Sequence, residues 1–120
     1  MATFTKVHLS GSTGGQPIKV VATATTGTTI HATGTSSSTI DEVWIYATNT
    51  DTVTRTLTIE YGGTTSPDNK IVVGIPSQSG LTIAVPGLIL SGTGAAARTI
   101  TAFASAANVI NIVGYVNRIA

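Results

Sequence analysis

Residues 41–61 read DEVWIYATNTDTVTRTLTIEY. Val43, Ile45 and Ala47 alternate with Trp44, Tyr46 and Thr48, the two-residue period of a β-strand. Asn49, Thr50, Asp51 and Thr52 follow with turn chemistry, because Asn and Asp side chains bond the backbone just ahead of them. The chain then resumes with Val53, Arg55, Leu57, Ile59 and Tyr61 on one side and Thr54, Thr56, Thr58 and Glu60 on the other. The pattern predicts an antiparallel hairpin with one apolar and one threonine-coated face. Burial of Val43, Ile45, Leu57 and Ile59 is worth about 1.5–3 kcal/mol each, so the apolar side requires a second sheet over it.

The same alternation extends in both directions. Residues 6–10, 17–25 and 28–33 read as strands before this stretch, with Ile18, Val20, Ala22 and Ala24 on one face of the second. After it, residues 71–75 are apolar on both sides, which suggests an inner strand or one that meets a neighbour. Leu81, Ile83 and Val85 form one face of a strand that ends at Pro86-Gly87, with a short extended piece at residues 88–90. Residues 98–104 and 109–117 alternate again, and no segment long enough to nucleate a helix is present. The expected fold is all-β: one domain over residues 1–120, a single antiparallel β-sandwich (jelly-roll or Ig-like) of about eight short strands.

Composition narrows the functional classes. Only 9% of the 120 residues are charged, against about 25% in an ordinary soluble protein. A monomer of this size exposes roughly 6,000 Å², which so few charges cover poorly. Serine and threonine must do much of the solvating, and the composition favours self-association to cover the rest. The net charge is +1, and Lys6, Lys19, Arg55, Lys70, Arg98 and Arg118 are scattered, so no direct nucleic-acid contact is expected. Cysteine is absent, which removes disulfides and thiolate metal sites. Residues 71–97 carry no charge, but Pro76, Pro86, Gly74, Gly80 and Gly87 interrupt them, so no membrane helix is expected.

Parts for catalysis are not assembled in the sequence. His8 and His31 have no acidic residue within several positions and read as strand-surface histidines. Asp41 and Glu42 point to opposite sides of a strand and read as its solvated entrance, not as a proton-sharing pair. Asn49 with Asp51, and Asp68 with Asn69, lack the ligand count of a Ca²⁺ loop and read as turn residues. No serine sits in a nucleophile elbow, and Gly92-Thr93-Gly94 lacks the remainder of a phosphate loop. No enzyme, metal or cofactor is expected. The aromatic side chains Trp44, Tyr46, Tyr61 and Tyr115 bring large area and little conformational entropy. For the Trp44–Tyr46 side of its strand three roles stay open: a second core layer, a subunit contact, or a platform for a ligand such as a sugar ring.

The run IYATNTDTVTRTLTIEYGG (45–63), the segment GLTIAVPG (80–87) and the ending ANVINIVGYVNRI (107–119) resemble the small β-sandwich virion proteins of tailed bacteriophages. Most of the likeness lies in residues 49–58, where NT, four residues and RTLT follow one another. The resemblance implies a non-enzymatic particle component, a capsid cement or decoration protein. Such a protein is made in the host cytoplasm and bound to the major capsid protein on the virion exterior, as a homo-oligomer, often a trimer. It carries no catalytic residues. On that reading the contact residues are Trp44, Tyr46, Tyr61, Val109, Ile110, Ile112, Tyr115 and Val116. Competing expectations are a head–tail or tail-associated component and a carbohydrate-binding β-sandwich module.

Overall fold

A computed structural model describes residues 2–120 as nine β-strands with no helix. In chain order these are β1 (Phe4–His8), β2 (Ile18–Lys19), β3 (Thr28–Ala32), β4 (Ile40–Asn49), β5 (Arg55–Tyr61), β6 (Lys70–Ile75), β7 (Thr82–Ser91), β8 (Thr99–Ala104) and β9 (Ile110–Ile119). They form two antiparallel sheets. One runs β1-β9-β4-β7, with β2 also pairing β9; the other runs β3-β8-β5-β6. Between them lies one continuous core that includes Leu9, Val20, Ile30, Val43, Ile45, Leu57, Ile59, Ile75, Val85, Ile100, Ile110, Ile112 and Val116. The all-β sandwich expected from the alternation is the fold observed.

The expected β4–β5 hairpin is not formed. β4 pairs with β9 along its whole length and with β7 on its other edge, while β5 lies in the opposite sheet between β8 and β6. Residues 50–54 are therefore a corner between sheets. Buried Asn49 builds it: its amide donates to the carbonyls of Val53 and Ile75 at 2.8 and 2.9 Å, and its Oδ1 accepts from the Asp51 N–H. Turn chemistry is common to hairpins and corners, and lateral pairing decides between them. The Asp51 carboxylate binds Arg55, which accounts for it as a corner residue.

Other strand boundaries shift for related reasons. The chain leaves the first sheet just after Lys19: the Val20 N–H donates to Ile110 O, and Ala22 O accepts from the Ala104 N–H of the second sheet. Of the strand anticipated over 17–25, only β2 forms, and the rest is a crossing between the sheets. β6 is an edge strand, not an inner one, and Val72 is 63% exposed. β7 runs straight through Pro86-Gly87, because it is an edge strand whose register shifts there absorb a proline. Gly114 in β9 has no room for a Cβ, which would run into the Trp44 carbonyl oxygen of β4.

Two buried polar centres reinforce the core, and both correct the sequence reading. His31 and Asp41 are each only 1% exposed. The Ser10 N–H donates to His31 Nδ1 at 3.0 Å, so Nε2 carries the ring proton and donates to Asp41 Oδ2 at 2.8 Å. Arg118 binds both oxygens of Asp41 at 2.7 and 2.9 Å. Burial pushes the Asp41 pKa up, but the hydrogen bonds from Arg118 and His31 outweigh it and hold the group below its ordinary value. Asp41 is therefore a tie between β4, β9 and the opposite sheet, not a solvated strand entrance.

Glu60, expected on a threonine-coated outer face, is fully buried. Its Oε1 accepts from Gly27 N–H and Thr101 Oγ1, and its Oε2 from Thr25 Oγ1 and Lys70 Nζ, all within 2.6–2.8 Å. The β2–β3 connection thereby closes over β5 and β8. Burial opposes ionisation of Glu60, yet the hydrogen bonds from Lys70, Thr101, Gly27 and Thr25 hold its pKa at about 2. A carboxylate depressed on folding stabilises fully above its unfolded value of 4.5 and loses that contribution as pH falls toward 2. Denaturant unfolding of wild type is expected to weaken across this interval. E60Q should be about 1.5–3 kcal/mol less stable at neutral pH, with a flatter acid limb to which Asp41 still contributes.

Candidate interaction face

Since β4 is paired on both edges, only its two faces remain to be covered. Val43, Ile45 and Ala47 enter the core, so Glu42, Trp44, Tyr46 and Thr48 stand on the outer side of the first sheet. The register lines them up in cross-strand rows. One row is Lys6, Asn117, Glu42, Ile89; the next is His8, Tyr115, Trp44, Pro86; a third holds Val113, Tyr46 and Ile83. Lys19 and Asn111 continue the pattern beside Thr48.

Trp44 is the centre of this surface. Its ring is stacked with that of Tyr115, centroids 6.2 Å apart and planes 14° from parallel. Under the indole lies Gly87, with φ of +79° and a virtual Cβ only 2.7 Å from Trp44 Cζ2, so the bulge in β7 is what gives the ring its seat. The indole N–H donates to Glu42 Oε1 at 2.8 Å, and Asn117 Nδ2 donates to the same oxygen at 3.0 Å. These two hydrogen bonds, that of Trp44 first, lower the Glu42 pKa and keep it ionised. Lys6 Nζ sits 4.8 Å from the Tyr115 ring centroid, a cation–π contact.

The apolar content of this surface continues onto the β7 edge. Ile83 is 55% exposed, Ile89 62% and Leu81 59%. An aromatic centre with few charges is the composition of a protein–protein contact, and exposed apolar surface on an edge strand adds to it.

Not all the residues expected to make contacts lie here. Trp44, Tyr46 and Tyr115 do, and none of them is a second core layer. Ile110, Ile112 and Val116 have no exposure and belong to the core, and Val109 packs against that core from the β8–β9 turn. On β9 the outward residues are instead Asn111, Val113, Tyr115 and Asn117; reading the strand as apolar throughout hid which parity faces inward. Tyr61 packs against the core as well. Burial, and then the Asp41 charge, raise its pKa to about 12. Sequence reasoning missed Lys6, Glu42, Asn117, Ile83 and Ile89, whose signal was parity with Trp44 once the β4 neighbours are known.

Chemistry elsewhere is limited to closed or shallow places. The His31–Asp41 pair is enclosed, with every side-chain nitrogen and oxygen already engaged, and the partly exposed Arg118 closes over it. His8 is exposed on β1, as expected of a strand-surface histidine. Among the described residues no three His, Asp or Glu side chains come together as metal ligands, and no helix is long and apolar enough to cross a membrane. An open cavity of about 320 Å³ is lined by Ser37, Ile40, Ile89, Leu90, Ser91 and Arg98. Arg98 there donates to the Ser91 and Gly92 carbonyls.

Replacing Gly87 tests whether the bulge seats the indole. G87A places a side chain at positive φ and against the ring, a strain of about 1–3 kcal/mol. The expected result is lower stability together with a red shift in emission from Trp44, the sole tryptophan. Compared with protein-family models, curated proteins and solved structures, the chain matches none of them.

Proposed function

We propose that this chain is a non-enzymatic structural protein of a tailed-phage particle, a cement or decoration protein on the capsid exterior. It acts as a homo-oligomer that binds the major capsid protein at several capsomers. The observation that carries the homo-oligomeric part of the reading is the outer face of the β1-β9-β4-β7 sheet, where Trp44, Tyr115, Tyr46 and Ile83 form an apolar centre in a charge-poor surface. The sequence likeness supports the same reading. A protein that bridges several subunits of a shell adds its binding free energy to the assembled state alone, and multivalency multiplies weak individual contacts.

A head–tail or tail-associated position is the nearest alternative within the particle. A sugar-binding platform is the alternative outside it, favoured by the paired rings of Trp44 and Tyr115. Lys6 already occupies the surroundings of the Tyr115 ring, which counts against sugar stacking there. Cryo-electron microscopy of particles carrying the labelled protein is expected to show density repeated over the capsid lattice. Particles lacking it should break at a lower temperature. Density confined to one vertex, or saturable quenching of Trp44 by a sugar, would displace the cement reading.

A further inference from the structure

The charges on the outer face are few and specifically placed. Lys6 and Glu42 lie in one cross-strand row, on the two strands that flank β9, with Asn117 between them. Among the described residues neither makes an ion pair within the chain. Glu42 takes both of its hydrogen bonds on Oε1, and among the described residues Oε2 accepts none. The Lys6 ammonium rests over Tyr115, on the same surface.

We propose that the occupant of this face is a second copy of the chain, packed sheet against sheet about a two-fold axis parallel to β9. The proposal rests on the homo-oligomeric reading above and names its contact. An axis along β9 exchanges the flanking strands, so Lys6 of each copy meets Glu42 of the other. Asn117 and Tyr115, on the axis, meet their own equivalents, and His8 meets Trp44. Lys19, also flanking β9, meets the hydroxyl-bearing Thr48. No like charges are opposed. Such a contact is isologous, as a closed two-fold dimer requires, and aligned sheet packing accommodates it. An axis perpendicular to the strands through that row would place Lys6 on Lys6 and Glu42 on Glu42, so charge selects the arrangement. A two-fold pair also departs from the trimer that the family likeness implies.

Charge exchange tests this directly. Sedimentation equilibrium of wild type is expected to give twice the 12.1 kDa chain mass. K6E and E42K should each weaken self-association on the order of tenfold or more, because each opposes like charges across the contact. An equimolar mixture of K6E with E42K should recover the dimer, as should the double variant K6E/E42K. Circular dichroism and unfolding midpoints of each variant confirm that the sandwich is retained, and recovery in the mixture excludes misfolding of E42K as the cause of its weakness. If wild type dimerises but either single variant does so equally well, or the mixture stays monomeric, the proposed contact is wrong while the particle role stands. A wild type that is monomeric at all concentrations overturns the dimer, and if it also fails to bind capsids the particle role falls with it.

Discussion

Backbone hydrogen bonding of β4 is the constraint from which the rest follows. Its ten residues pair with β9 on one edge, and most of them pair with β7 on the other. A strand has only two edges, so β5 must look elsewhere although it follows within a few residues. It finds β6 and β8, and a second sheet exists because of that. Leu57 and Ile59 then face Val43 and Ile45 across the core instead of lying beside them in one sheet. The corner at residues 50–54 succeeds because the Asn49 amide satisfies carbonyls of both the corner and β6.

Polar groups inside the sandwich act as ties between layers. Asp41 joins β4 to β9 through Arg118 and to the opposite sheet through His31. Glu60 draws the β2–β3 connection and Lys70 onto β5 and β8. Each carboxylate is matched by donors on both oxygens, the condition under which a buried charge is tolerated. A chain with so few charges thus commits two of its five acidic side chains to its interior. That leaves its surface poorer still in charge.

The parts legible in the sequence were those with strictly local causes. Alternation in β4, β8 and β9 shows directly in residues 43–48, 98–104 and 109–117, and the turn residues mark where strands stop. Pairing was not legible, since Asn49 and Asp51 serve a corner as well as a hairpin. Nor were the buried ion pairs: His31 and Asp41 are ten residues apart, and Asp41 and Arg118 seventy-seven. Only the sandwich brings them together. Alternation set Trp44 and Tyr46 opposite Val43 and Ile45 but left open whether their side was a second core layer, and Ile110, Ile112 and Val116 were not separable from Val113 and Tyr115 without knowing which parity of β9 faces the core.

What unites these observations is a sheet with one side closed by its own chain and one side still presenting Trp44, Tyr46, Tyr115 and Ile83. Trp44, unique in the chain, reports on that second side. Acrylamide quenching of its fluorescence across a wide range of protein concentration tests the account most directly. Quenching is predicted to slow as concentration rises and the face becomes covered; a quenching constant unchanged from dilute to concentrated protein would contradict it.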